Sequence, residues 1–396
     1  MMLSMFGYGN VAKAITSTYK KGEWNIYDDK FSVASEDEFG NKLLPVNEFN
    51  PELSSIEVVS PGIAPNHILC KKARNLTSEI DFYNEALGLS IWVSGTNGKT
   101  TTTEMIAHLL DIEAGANIGK PLALMNLKAP LVVLEMSSFA LHYTKVARPE
   151  LYVLLPICDD HISWHGSFSN YEKAKLDLIF RMNKTASVIV PKKYKQYLES
   201  AKCIKYFYEN SSDLAKTFDI DLSKLNYKEP FLLDACLALA ATKIISGEIK
   251  YDKLSLFKIG RHRVEVFKDS KNRTWIDDSK ATNISAALAA INSFKEPLHL
   301  IAGGDAKGQD LNEFFKYLPK NTKLYLIGKT DFSDIAKANG FNPIRTNLKE
   351  AATLIYKDLK IDEIALLSPA CASLDEFSSY AERGDLFIKY MKELDV

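Results

Sequence analysis

Along this chain, short runs rich in β-branched apolar residues alternate with stretches whose apolar positions recur every three or four residues. The first pattern is that of buried strands and the second that of amphipathic helices, so the chain reads strand, turn, helix again and again. Such alternation predicts an α/β protein built on largely parallel sheets. Three blocks, residues 1–88, 89–259 and 260–396, each open near a strand followed by a glycine or polar turn. Arg261, His262 and Arg263, between Gly260 and a strand pattern at 264–267, mark the expected hinge between the second and third blocks.

A length of 396 residues fits two or three domains, and 46% apolar with 25% charged residues excludes a disordered chain. Lys plus Arg number 49 against 50 Asp plus Glu, so no global field draws the protein to nucleic acid or acidic lipid. No apolar run reaches the 18 or so residues of a membrane span, and residues 1–7 lack the basic and apolar regions of a signal peptide. A cytoplasmic monomer with neither a nucleic-acid nor a membrane partner is expected. The 5 cysteines are far apart without a C-x-x-C pair, which predicts reduced, mostly buried thiols rather than disulfides or zinc ligands.

In the first block a strand pattern at 3–6 leads into Gly7, Gly9 and Ala12, and a second at 24–27 ends at Asp28 and Asp29. This is the spacing of a dinucleotide fingerprint, in which glycines admit a diphosphate to a helix N-terminus and a carboxylate reaches a ribose or base. Taken alone it fits a nicotinamide oxidoreductase as well as any other nucleotide binder.

The strongest motif follows the strand pattern at 89–93. Ser94, Gly95, Thr96, Asn97, Gly98, Lys99, Thr100 and Thr101, ahead of a helix expected over 102–110, form a phosphate cradle. Its glycines bring amides close to phosphate oxygens, Lys99 neutralises charge and Thr100 offers a hydroxyl to Mg²⁺. Val93 stands where the strict pattern has its first glycine, so the loop is a variant. Neighbouring strand patterns end at Glu135, followed by Ser137, and at Asp159, Asp160 and His161, where a metal or its water would be held. Ser169 and Glu172 read as a capping box for a helix over 170–182. On that helix Lys173, Asp177, Arg181 and Lys184 share a polar face, so Lys175 points inward among Tyr171, Leu178 and Ile179. A buried ammonium needs a partner or a changed charge.

The third block carries three more polar turns at strand ends. Asp278 to Asn283 follow a strand pattern at 275–277, Gly303 to Gly308 one at 298–301, and Ser368 to Phe377 one at 364–367. Cationic and hydroxyl groups gathered at one sheet edge make a pocket for a small dicarboxylate or phosphate.

Taken together these stretches closely resemble the Mur ligases, over nearly the whole chain. Gly95 to Thr100 mark the superfamily, which includes folylpolyglutamate synthases, while Asp278 to Asn283, Ser368 to Phe377 and Glu382 to Gly384 resemble the D-glutamate-adding branch. The resemblance implies three α/β domains: an N-terminal Rossmann-like domain for a UDP-sugar (1–88), a central P-loop ATPase-type parallel sheet for ATP (89–259) and a C-terminal Rossmann-like domain for the amino acid (260–396). It implies ATP phosphates on Gly98, Lys99 and Thr100, one Mg²⁺ near Thr100 and Glu135, and a second touching His161 and a carbamylated Lys175. Asn117, with Ser137, matches residues at the muramoyl-peptide substrate, UDP-N-acetylmuramoyl-L-alanine. Arg263 and Asp278 match residues facing the nucleotide, and Lys280, Thr282, Lys307, Ser373 and Tyr380 match a D-glutamate pocket. The implied reaction is an ATP-dependent amide bond formation through an acyl phosphate, in which Lys99, His161 and Lys175 are the catalytic residues.

Two departures stand out. Pro230, Phe231 and Asp234 replace the family's usual H-N-x-x-N for adenine. The Gly7–Gly9 turn lacks the usual Ser/Thr-Gly, leaving Asp28, Asp29 and Lys30 for the uridine and diphosphate. An oxidoreductase would leave the Lys99 loop idle, a folylpolyglutamate synthase would not need both C-terminal signatures, and a non-catalytic nucleotide-binding protein would not need the metal-site residues.

Overall fold

A computed structural model describes residues 2–395. Three six-stranded sheets succeed one another along the chain. The first has the spatial order Ser35–Glu36, Lys42–Leu44, Trp24–Tyr27, Met2–Phe6, Ser54–Val59, Leu76–Thr77, parallel except at its Ser35–Glu36 edge. The chain leaves Met2–Phe6 on one side to Trp24–Tyr27 and later returns on the other to Ser54–Val59. That reversal opens a crevice beyond the carboxyl ends of the two central strands.

The second sheet is wholly parallel, in the order Ile204–Tyr208, Ser187–Pro191, Leu151–Leu154, Leu89–Ser94, Leu131–Glu135, Ala114–Ala116. Trp92, Leu134, Tyr152 and Val188 pack on one face, and Ile91, Val93, Val133, Val153 and Ile189 on the other. Burial on both faces is why these strands read as unbroken apolar runs. The helices Lys99–Leu110 and Phe231–Ser246 cover the second face with Met105, Ile106, Leu109 and residues 235–241.

The third sheet runs Glu265–Lys268, Thr274–Asp277, Ile364–Leu367, Leu298–Gly303, Lys323–Ile327, Ile344–Arg345, with only the first strand antiparallel. The described chain divides into two compact units. The first holds both earlier sheets, up to residue 257, and the second holds the third sheet, 158–163 and 228–230.

Several boundaries move from the sequence reading. The helix after the phosphate loop begins at Lys99 rather than 102, because Gly98 in the left-handed region (φ 80°) turns the chain directly into it. The helix bearing Lys175 is Phe168–Arg181, capped by Ser167, whose side chain accepts from the Asn170 amide. The Ser169–Glu172 capping box therefore does not form, and Glu172 instead accepts from the Tyr194 hydroxyl. The first strand of the third sheet begins at Glu265 rather than 264, and its central strand runs on to Gly303. All 5 cysteines are free, with Cys203, Cys236 and Cys371 buried and Cys70 and Cys158 partly so. Among the described residues no helix is long and apolar enough to cross a membrane.

Candidate active site

The phosphate loop spans the end of the strand Leu89–Ser94 and the start of the helix Lys99–Leu110. Gly95 and Gly98 have φ of 143° and 80°, and a Cβ at either would collide, with Leu155 for Gly95 and with Asp234 Oδ1 for Gly98. Only glycine therefore lets the loop close down. A helix N-terminus that directly follows such a loop is a ready seat for an anion. Lys99 Nζ donates to Gly95 O at 3.1 Å and Thr96 O at 2.7 Å, so the ammonium is held on the loop.

Thr100 Oγ1 donates to Glu135 Oε2 at 2.7 Å, and Asn117 Nδ2 donates to Glu135 Oε1 at 2.6 Å. Glu135, at 2% exposure, is thus the joint between the phosphate loop and the segment carrying Asn117. A hydroxyl beside a carboxylate is a set of hard oxygen donors that fits Mg²⁺, which takes one or two carboxylates and leaves positions for phosphate and water. Ser137 caps the helix Ser138–Tyr143 by accepting from the Ala140 amide.

Lys175 does point inward and is 1% exposed. Its Nζ donates to Gly95 O at 2.9 Å and Ser94 Oγ at 3.2 Å, and lies 4.8 Å from the centre of the Tyr171 ring. Tyr171 in turn pairs its hydroxyl with Thr96 Oγ1 at 2.9 Å. Tyr171 thus escaped the sequence reading as a site residue, and Ser94, read there as part of the phosphate cradle, also accepts from Lys175. The signal for Tyr171 was its place one helical turn before Lys175 on the same face.

In the second unit His161, at φ 53°, donates its amide N–H to Asp160 Oδ1 at 2.9 Å, and its Nε2 lies 3.7 Å from Asp160 Oδ2. Asp160 also takes Lys307 Nζ at 3.2 Å and Asn283 Nδ2 at 3.3 Å, so His161 and Lys307 meet on one buried carboxylate. Lys280 Nζ sits 4.0 Å from the Tyr380 ring centre, Thr282 is half-buried and Ser373 is buried. A two-way backbone bridge between Asp305 and Ala372 (3.0 and 2.8 Å) ties the Lys307 turn to the Ser373 turn.

Asp278 is buried, accepting from Ser368 Oγ at 2.7 Å and the Val264 amide at 3.3 Å, while Arg263 is half-buried nearby. Burial pushes the Asp278 carboxyl up to about 8, partly countered by the Ser368 bond. His262 Nδ1 pairs with Asp277 Oδ2 at 2.6 Å, and His262 O accepts from the Lys280 amide at 3.1 Å. His262 and Val264 both hold positive φ (63° and 49°), the latter unusual for a β-branched residue, within the stretch read as a hinge.

Arg383 is 0% exposed, and its guanidinium binds Ser279 O and Oγ and Cys371 O at 2.9–3.2 Å. It joins two of the three turns of the third sheet, and burial lowers its pKa to about 10. The signal was legible: Arg383, Phe387 and Met391 form one buried stripe of the helix Tyr380–Leu394.

The remaining sequence candidates lie differently. Asp28 has both oxygens engaged, by the Tyr8 amide at 2.7 Å and the Lys30 amide at 2.9 Å, and Asp29 pairs with His67 at 3.0 Å. Asp234 is buried with Oδ1 receiving Thr102 Oγ1 at 3.3 Å, so it braces the phosphate loop rather than presenting an open surface.

Residues 93–233 match the Mur ligase middle domain, and residues 262–371 the Mur ligase glutamate ligase domain. A UDP-N-acetylmuramoylalanine--D-glutamate ligase of Campylobacter jejuni is 47% identical, covering 98% of each chain. The Helicobacter pylori protein of the same name is 42% identical over 98% of each. Among solved structures, a MurF ligase of Thermotoga maritima in complex with ADP has a TM-score of 0.59 at 15% identity, covering 86% of this chain and 88% of that one. A MurC UDP-N-acetylmuramate-alanine ligase of the same organism has 0.58 at 15%, covering 100% of both.

Proposed function

The chain belongs to the Mur ligase family, and from that premise we infer that it joins D-glutamate to UDP-N-acetylmuramoyl-L-alanine with ATP, a step in building peptidoglycan precursors. The observation that carries this reading is the Lys99–Thr100–Glu135–Asn117 chain, which connects a phosphate seat to a substrate-side amide through one buried carboxylate.

In the first step the L-alanyl carboxylate attacks the γ-phosphorus of ATP, the bond to the β-γ bridging oxygen breaks, and ADP leaves an acyl phosphate behind. Gly95 to Thr101 seat the phosphates, and Lys99 takes up the charge that spreads over the transferring group. Thr100 and Glu135 would hold a Mg²⁺, whose chemistry there is to neutralise phosphate oxygens. Asn117 and Ser137 orient the muramoyl peptide. In the second step the D-glutamate amine attacks the acyl carbon, phosphate departs with the bonding pair, and the amine proton passes to solvent or to His161. Lys280, Thr282, Lys307, Ser373 and Tyr380 hold the incoming amino acid, and Arg263 and Asp278 face the nucleotide. Asp28 and Asp29 remain the candidates at the uridine end, Asp28 by bracing the Gly7–Gly9 turn. The protein acts in this reading as a cytoplasmic monomer.

The glutamate assignment is tested at Lys307. Its ammonium pairs with Asp160, and a substrate carboxylate offers it the same chemistry. Lys307→Ala raises the D-glutamate KM at least about 10-fold and leaves ATP affinity by calorimetry within a factor of two. An equal loss of ATP affinity would move Lys307 to another role.

A further inference from the structure

Glu79 is a carboxylate with no part in the chemistry above, yet it is 5% exposed. A buried carboxyl is costly unless it is hydrogen-bonded, and burial pushes this one up to about 7. Its partners are backbone amides: Ala123 N reaches Oε1 at 3.3 Å, and the Leu122 amide also stabilises the anion. Both amides belong to the single-turn helix Leu122–Leu124.

That turn ends the segment that begins with Asn117. The segment is fixed at its start by Ala116 N to Lys120 O at 2.9 Å, and by the amide and side chain of Asn117 on Glu135 at 3.2 and 2.6 Å. Glu79 fixes its far end. Glu79 is itself on a firm platform: the short helix Glu79–Phe82 is capped by Ser78, and its Asp81 carboxylate receives the amides of Lys145, Val146 and Ala147 at 2.5–3.0 Å. Glu79, Asn117, Glu135 and Ser137 line one cavity together with Val59 and Pro61, at the carboxyl end of a central strand of the first sheet.

We propose that Glu79 is a positioning residue for the sugar-peptide substrate, holding the 117–125 segment so that Asn117 faces the cavity. This rests on the assignment of Asn117 to that substrate. A carboxylate clamp on two amides acts on the segment without touching ATP, whose seat depends on the Lys99 loop.

The test compares Glu79→Leu, Glu79→Gln and Asn117→Ala in steady-state kinetics of the full chain. Glu79→Leu keeps the volume and removes the acceptor; it should raise the KM for UDP-N-acetylmuramoyl-L-alanine about 10-fold, with the ATP KM within two-fold. Glu79→Gln keeps an acceptor oxygen and should stay within about three-fold of the parent. If Asn117→Ala leaves the sugar-peptide KM unchanged, the substrate assignment fails. If Asn117→Ala raises it and Glu79→Leu does not, or raises both KM values alike, the positioning role is overturned. Should Glu79→Leu not fold, Glu79→Gln decides: a KM raised 10-fold in that folded variant would also overturn the acceptor role.

Discussion

Lys99→Ala lowers the rate of ADP formation by about 10²-fold or more while the protein stays folded. The phosphoryl group gains no new covalent partner from the protein, so catalysis rests on charge placed where it develops. Lys99 is the cation of the phosphate loop, at the first position of its helix. Its ammonium donates to carbonyls of that same loop, Gly95 O and Thr96 O, and the residue is half-buried rather than in the core. Stability therefore changes by about 1 kcal/mol or less, the scale of an ordinary hydrogen bond. Phosphate release measured beside thermal unfolding checks this, and near-normal turnover from a folded variant would remove Lys99 from the mechanism.

Lys175→Ala is the second large effect, again about 10²-fold or more in rate. Two causes combine. As an amine, Lys175 ties Gly95 O and Ser94 Oγ from beneath the loop, and its loss leaves a buried carbonyl without that donor. As a carbamate, it would turn a buried cation into an anion offering two oxygens to a metal. The two separate experimentally. If the carbamate is required, the parent enzyme loses activity when carbon dioxide is stripped from the buffer and regains it with bicarbonate, and acetate partly restores Lys175→Ala. An activity indifferent to carbon dioxide would leave Lys175 as a brace of the phosphate loop.

How much of this was legible in the sequence follows the range of each interaction. The strands, the phosphate loop and the inward turn of Lys175 depend on local periodicity, and all three appear in the fold. The capping box at Ser169 failed because Ser167, two residues earlier, offered the same chemistry, and Glu172 found a partner, Tyr194, from a distant segment. Asp160, Asp234 and Glu79 gain their meaning only when distant turns meet, which no spacing rule encodes. Arg383 lies between these cases: its buried stripe is periodic, but its bonds to Ser279 and Cys371 reach 104 and 12 residues away. The cofactor-like first block was the most misleading, since its glycine turn and acidic pair fit an oxidoreductase equally well until the rest of the chain was read.

The central claim, that ATP is consumed by activating the L-alanyl carboxylate for D-glutamate, has one most direct measurement. UDP-N-acetylmuramoyl-L-alanine labelled with ¹⁸O in its terminal carboxylate is incubated with ATP, Mg²⁺ and either D-glutamate or L-glutamate, and the released phosphate is analysed by mass. Attack of the carboxylate on the γ-phosphorus followed by amine attack on the acyl carbon leaves one labelled oxygen in each phosphate, and only D-glutamate should yield product at an appreciable rate. Phosphate free of label, or product formed as readily with L-glutamate, would contradict the account.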